Sequence, residues 1–339
     1  MFNFKKDKIS QMKQEELFQL IKSKLPGHIS LSEHIAGVLG ISSDSAYRRI
    51  RGETALTFEE AGILMTEINS SIQWPSISMT ATTSFIFSDF TKTEKFLIGY
   101  LKNLLKELNL LKGKKDALVT YAAEDLPLFH HFYFEEHTAF KLYYWMRSVM
   151  GIPEFENGHF DLKIINPEIM TLCKDLLAAY RSIPSIELWS ESQATSTLKQ
   201  VRYYWESGYF KDKKDALLVC EQMIDTFEIL KKQAEAANKL PDGKKELEDN
   251  GSFSLYQSEI EIGNNCILVT TENQSTTYLR HQTFNYLSTS DPAFCESTSR
   301  WIGNLIKKSI LISGVSEKKR QQFFGKMKED FHLLVKEIK

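Results

Sequence analysis

Leu31-Ser32-Glu33-His34-Ile35-Ala36-Gly37-Val38-Leu39-Gly40-Ile41-Ser42-Ser43-Asp44-Ser45-Ala46-Tyr47-Arg48-Arg49-Ile50-Arg51-Gly52 is the stretch on which the reading of this 339-residue chain turns. Leu31, Ile35 and Leu39 recur at helical spacing, and Ala46 and Ile50 repeat it after a break. Two short helices that cross steeply need a small residue where they touch, a glycine in the turn and an apolar plug behind it. Ala36, Gly40 and Ile41 supply these in that order, and Ser42 is a natural N-cap for the second helix. Ile35, Ala36, Gly40, Ile41, Ala46 and Ile50 are therefore expected to form the core of a helical hairpin. The opposite face of its second helix carries Ser43, Asp44, Tyr47, Arg48 and Arg51. Such a face suits a DNA major groove, where arginine takes guanine bidentately and hydroxyls meet base edges or phosphates.

Outward from this hairpin, Leu17, Leu20, Ile21 and Leu25 precede it and Phe58, Ala61, Ile63, Leu64 and Ile68 follow it, again at helical spacing. Pro26-Gly27, Gly52 and Asn69-Ser70-Ser71 punctuate the helices. Residues 1–74 are expected to form a compact, all-α domain of four or five short helices. Residues 75–91 hold Pro75 and many Ser and Thr, ending in Phe85, Ile86, Phe87 and Phe90, and are expected to be a linker tied down near its end.

The stretch resembles the Cro/C1-type (XRE, lambda-repressor-like) helix-turn-helix family of bacterial and phage repressors, and the likeness covers about residues 10–70. It is carried by Ala36, Gly40, Ile41, Ser42 and Gly52. The resemblance implies a DNA-binding head with its recognition positions on Ser42, Ser43, Asp44, Tyr47, Arg48 and Arg51. Three positions depart from the family pattern. Ser32 stands where a phosphate-contacting glutamine is common, Ala46 where a larger β-branched residue is usual, and Arg49 where an apolar side chain is buried, with Ile50 expected to fill the core instead.

Residues 92–339 read as a mostly helical α+β domain with a small antiparallel sheet. Helices are expected at 92–111, 136–150, 168–181, 194–206 and 212–239, and strands at 117–122 and 128–134. After a polar loop at 242–252 the period changes to two: Phe253, Leu255, Ile260 and Ile262, then Ile267 and Val269, then Thr277, Leu279 and on to Phe284. This predicts a three-stranded meander with Gly263-Asn264-Asn265 as its hairpin turn. Asp291-Pro292 and Ser316-Glu317 start two closing helices, the second with the apolar row Phe324, Met327, Phe331, Leu334 and Ile338.

Charge and cysteine usage narrow the function. Lys and Arg number 42 against 44 Asp and Glu, a net charge of -2, so the whole molecule carries no field for DNA or membrane and any nucleic-acid contact must be local. Residues 1–75 are balanced too, with nine basic and nine acidic residues, which predicts weak binding by a single copy and reliance on a homodimer. Cys173, Cys220, Cys266 and Cys295 lie far apart, against a zinc knuckle or disulfide framework. No signal core and no run of about 20 apolar residues is present, so a cytoplasmic protein is expected. No phosphate loop, dinucleotide fingerprint or G-x-S-x-G motif calls for catalysis, and no cofactor or metal is expected.

Several features outside the hairpin admit two readings. His130, His131, Glu135, Glu136 and His137 are either a cluster of metal ligands or polar residues rimming an aromatic core, and the helical spacing of metal motifs is missing. Phe129, Phe132, Tyr133, Phe134, Phe140, Tyr143, Tyr144, Trp145, Tyr203, Tyr204, Trp205, Tyr209 and Phe210 either fill that core or line a ligand pocket. Ala216, Cys220, Met223, Phe227, Leu230, Ala234 and Ala237 are either a dimer seam or one face of a helix packed on its own domain. Lys307, Lys308, Lys318, Lys319 and Arg320 are either an anion site or a solvated face. The sequence thus points to a dimeric transcriptional regulator that binds double-stranded DNA and senses a small-molecule or protein effector. Its rival is a protein-interaction scaffold whose head has lost DNA binding. The regulator requires Arg48 and Arg51 exposed and unpaired; an enzyme would require a pocket with perturbed titratable groups near His131 or Glu135.

Overall fold

The computed structural model describes residues 14–25, 29–67, 82–87, 91–112, 114, 116–239 and 251–339. Pro26-Gly27, the stop at 69–71, most of the 75–91 linker and most of the 242–252 loop lie outside the described residues. The chain divides into two compact units, Met1–Ser84 and Phe85–Lys339.

In the smaller unit the described helices are α1 (Gln14–Lys24), α2 (Leu31–Leu39), α3 (Ser43–Ile50) and α4 (Phe58–Glu67). Leu17, Phe18 and Ile21 of α1 meet Ile35 and Ala36, Ala46, and Leu64 and Met65 in one small core, against which Ile41 and Ile50 are partly buried. Gly40 ends α2 at φ 65°, a conformation that costs a side chain with a Cβ but not glycine, and the Ile41 N–H then donates to the Ala36 carbonyl at 3.1 Å. Gln14 clamps the segment after α3 to α1. Its amide donates to the carbonyls of Arg49 (2.6 Å) and Thr54 (2.9 Å) and accepts from the Leu56 N–H (2.8 Å).

The larger unit is built on a seven-stranded mixed sheet in the order β6-β5-β4-β1-β2-β3-β7. The strands are β1 (Leu118–Ala123), β2 (Ser185–Trp189), β3 (Phe253–Ser258), β4 (Cys266–Thr271), β5 (Gln274–Gln282), β6 (Asn285–Thr289) and β7 (Ser309–Leu311). Helix α5 (Glu94–Lys112) precedes β1; α6 (Glu135–Tyr144), α7 (Pro153–Glu156) and α8 (Pro167–Arg181) lie between β1 and β2. Next, α9 (Thr195–Glu206) and α10 (Lys213–Ala236) lead to β3, and α11 (Pro292–Lys307) and α12 (Glu317–Ile338) flank β7. β1, β2 and β3 are parallel neighbours because helical crossovers carry the chain back to the same end, while β4, β5 and β6 run antiparallel beside β1.

The two sheet faces have different covers. Ala122, Leu188, Cys266 and Leu268 face Cys295, Ile302 and Leu305 of α11. Val119, Tyr121, Trp189, Phe253 and Leu255 face a deep helical layer that includes α5, α8, α10 and α12. The last helix buries Phe324, Met327, Phe331, Leu334 and Ile338 as one row. Asp291 caps α11 through the Phe294 N–H at 2.8 Å, with Pro292 in the first turn.

The structure departs from the sequence expectation at several places, among them the strand β2, which no sequence pattern marked. Residues 128–131 form a 3-10 turn instead of a strand, since Pro127 and the two histidines turn the chain into the core. β3 does not pair with β4; β1 and β2 lie between them, so Gly263-Asn264-Asn265 ends the connection that leads from β3 past β2 and β1 to β4 instead of forming a hairpin turn. The meander is β4-β5-β6, turning at 272–273 and 283–284. The sheet is accordingly larger than the expected small antiparallel one, with three parallel strands at its centre. Of the two readings of the 216–237 row, the structure shows the packed helix: Ala216, Cys220, Met223, Phe227, Leu230 and Ala234 are all buried within the unit, while Ala237 ends α10 at φ 50°.

Candidate functional site

Helix α3 sets the geometry of the polar face. Ser42 accepts from the Ser45 N–H at 3.2 Å and its hydroxyl contacts the Ser45 hydroxyl at 2.9 Å, so it fixes the start of the helix and has little capacity left for a base. Ala46 is fully buried, and a helix period places Ser43, Asp44, Tyr47, Arg48 and Arg51 on the outer side, all exposed. Tyr47 is 50% exposed, and the Arg51 guanidinium lies 5.7 Å from its ring centre. Ser32, half-buried in the first turn of α2, is 3.0 Å from the Ser30 hydroxyl.

Arg48 and Arg51 are exposed as the regulator requires, yet they are not unpaired. Glu53 lies 3.9 Å from Arg48 Nε and 3.3 Å from Arg51 Nε. Gly52, at φ 73°, makes this possible by turning the chain so that Glu53 N–H donates to the Arg48 carbonyl at 2.9 Å. Exposed ion pairs of this kind contribute about 0–1 kcal/mol and are screened by salt, so a phosphate can displace the carboxylate. Glu53 was not singled out from sequence; its position three residues past the helix end gives no periodic signal.

Arg49 does not enter the core but is held in an ion pair. Its guanidinium forms a two-pronged pair with Glu60 of α4, Nε to Oε2 at 3.0 Å and Nη2 to Oε1 at 2.8 Å, and both side chains are largely covered. The Arg49 hydrogen bond holds the Glu60 carboxyl below its ordinary range. Arg49→Ala leaves that carboxylate alone at a partly covered contact, an expected cost of about 1–2 kcal/mol. Hydrogen exchange on the full chain should then show protection of α3 and α4 amides falling about tenfold, with the large unit unchanged.

In the larger unit the histidine cluster splits. His130 Nε2 meets the buried Glu187 carboxylate at 3.0 Å, whereas the His131 ring packs on His137 at 5.3 Å and on Trp145 at 5.7 Å. Glu135 is exposed and pairs with Lys174, and Glu136 accepts from Gln222 at 2.5 Å. Among the described residues no three His, Cys, Asp or Glu side chains converge as a metal site would need. Burial pushes His131 well below its ordinary range and His137 down to about 3, with Lys141 adding to both; burial also pushes Lys141 down to about 8. These groups are enclosed in the core and none of them lines the large cavity of the unit. Of the aromatic row, Phe129, Phe132, Phe140, Tyr143, Trp145, Tyr204 and Phe210 are core, while Tyr203 is 55% exposed.

At the chain's end, Lys307, Lys308, Lys318 and Lys319 are exposed, but Arg320 is buried and donates to the carbonyls of Ile312 (3.0 Å) and Gly314 (2.9 Å). It fastens β7 to α12. Compared with protein-family models, with curated proteins and with solved structures, the chain matches none.

Proposed function

We propose that the chain is a sequence-specific DNA-binding transcriptional regulator whose small unit is a helix-turn-helix head inserting α3 into the major groove, and that it acts as a homodimer. The observation that carries this reading is the α3 surface. Ala46 anchors the helix to the core while Ser43, Asp44, Tyr47, Arg48 and Arg51 stand out on its other side. Arg48 and Arg51 are placed for guanine or phosphate, and the Ser43 hydroxyl is exposed at the end that enters a groove first. A pair of heads related by two-fold symmetry would read half-sites about one DNA turn apart or a multiple of it. Since the row from Ala216 to Ala234 is internal, the dimer contact lies elsewhere. The large unit, about three quarters of the chain, supplies the place for an effector to act on the heads.

Selection from random duplex DNA with the full chain tests the reading. A palindrome should be enriched, and Arg48→Ala with Arg51→Ala should lose it, with an expected drop of at least about tenfold in affinity and a shallower salt dependence. Glu53→Gln should act the other way and tighten binding, because it frees both guanidinium groups and removes a negative charge facing the phosphates. Absence of enrichment at low salt would favour the protein-interaction scaffold.

A further inference from the structure

Between α5 and the sheet lies a cavity of about 670 Å³, in the size range of small-molecule sites. Its floor is a row that crosses the sheet in register: Tyr121 of β1 beside Ile267 of β4, Ile267 beside Tyr278 of β5, and Tyr278 beside Ser288 of β6. Ile86, hydrogen-bonded to Ser288 in both directions at 2.8 and 2.9 Å, closes that edge. The roof is α5, and its contribution is unusual. Gly99 sits in mid-helix, where glycine costs about 1 kcal/mol relative to alanine, and a Cβ built there meets no atom within 4 Å. Gly99 is itself part of the lining, so a Cβ there enters open space.

The lining is chiefly aromatic and apolar, with one carboxylate and two lysines. Five phenols, Tyr100, Tyr121, Tyr180, Tyr278 and Tyr286, converge there with Phe129 and Phe284. The Tyr121 and Tyr286 hydroxyls are 3.4 Å apart, and the Tyr278 hydroxyl is 3.5 Å from Glu107 Oε2. Glu107 is the single carboxylate among the described lining residues, beside Lys95 and Lys106; all three side chains are exposed, but the Glu107 carboxylate is the one that meets a lining phenol, and burial pushes it above its ordinary range. Ile86, Phe87 and Leu110 leave more than 60% of their surface exposed around the same opening. An apolar rim of this kind is a mark of ligand entry. Aromatic walls favour positive charge spread over an apolar body through their ring faces, and the carboxylate held at Tyr278 adds to that preference.

We propose that this cavity binds a lipophilic organic cation. Within the regulator reading such a cation is the effector, and that use rests on the regulator reading, but occupancy of the cavity does not. The test is isothermal titration of the full chain, without DNA, with tetraphenylphosphonium and with tetraphenylborate, which match in shape and differ in sign. The phosphonium should bind one per chain and at least about tenfold more tightly than the borate, and Glu107→Gln should reduce that preference by about tenfold. Gly99→Phe, which fills the space from the roof, should abolish binding while circular dichroism and thermal unfolding stay at wild type. Equal binding of both ions, binding of neither, or phosphonium binding that survives Gly99→Phe would overturn the proposal. Because no DNA is present, a failed DNA selection leaves this result standing, and the reverse also holds.

Discussion

Gly251→Ala is expected to destabilise the larger unit by more than about 4 kcal/mol and to leave little soluble protein, while Gly263→Ala leaves stability within about 0.5 kcal/mol of wild type. Gly251 lies where the chain re-enters the sheet edge: its N–H donates to the Arg181 carbonyl at 2.9 Å and its own carbonyl accepts from Lys239 N–H at 3.1 Å. Those bonds press its Cα against the Ile183–Pro184 peptide. A Cβ would stand 2.2 Å from the Ile183 carbonyl carbon, 2.3 Å from its oxygen and 2.5 Å from the Pro184 nitrogen. All three are backbone atoms next to β2, a strand paired on both sides, so nothing can step aside without moving the sheet. Gly263 has nothing within 4 Å and does not take a positive φ. Urea unfolding followed by tryptophan fluorescence compares the two, since Trp145, Trp189, Trp205 and Trp301 all report on the larger unit. A Gly251→Ala protein within about 1 kcal/mol of wild type would refute the close-approach argument.

The same pair of glycines shows where sequence reading succeeds and where it stops. Helices are legible because burial repeats every three or four residues. α8, α9, α10 and α12 begin and end within a few residues of where their apolar rows and caps place them, and α11 begins at its Asp291 cap. Strands in this chain are harder. β2 is buried on both faces and carries Glu187 inward, so neither alternation nor an apolar run marks it. Gly263-Asn264-Asn265 carries hairpin chemistry, but pairing partners are set by which strand the helical crossovers have already placed nearby, and a local turn signal holds no such information. Gly251 signals a loop by composition when its role is close approach.

The candidate site divides in the same way. Ala36, Gly40, Ser42 and Ala46 were legible because local backbone chemistry dictates them, and the exposed set on α3 follows from the helix period. Glu53 and Gln14 were not, because one acts across a turn and the other over 35 to 42 residues of sequence. The cavity was invisible for a related reason: its walls come from α5, β1, β4, β5 and β6, and only the register brings Tyr121, Tyr278 and Ser288 into one row. The aromatic cluster that drew attention in the sequence proved largely core, whereas the phenols of the cavity are scattered singly along the chain.

Glu187→Ala is expected to cost about 3–5 kcal/mol, the range for removing one partner from a buried charged network, and Glu187→Gln distinctly less. The Glu187 carboxylate is fully buried and accepts from Tyr180 (2.5 Å), Trp189 Nε1 (3.0 Å) and Ser185 (3.3 Å) beside its contact with His130. Alanine leaves four polar groups facing a void, while glutamine keeps the shape and part of the bonding. The pH dependence separates charge from shape. Burial pushes the Glu187 carboxyl up, but His130, Lys239 and the hydrogen bonds overcome this and hold it below 4.5. A carboxyl depressed on folding stabilises above its unfolded value and loses that contribution as pH falls through the folded one, so wild type should lose more stability than Glu187→Gln in acid. Lys239 runs the other way: burial pushes it down to about 7, only partly offset by Glu187. Between about 7 and 10.5 the unfolded chain holds a proton that the folded chain has released, so this residue's contribution rises with pH, and Lys239→Met should remove that rise. Chemical denaturation from pH 3 to pH 10 distinguishes these cases; identical costs for Glu187→Ala and Glu187→Gln at every pH would mean that the site is packing alone. The network also borders the cavity, because Tyr121 pairs with Glu187 in the sheet register and Tyr180, which donates to Glu187, is part of the lining. Glu187→Gln should therefore loosen the cavity's back wall and weaken phosphonium binding, whereas Arg49→Ala, confined to the small unit, should leave that binding unchanged.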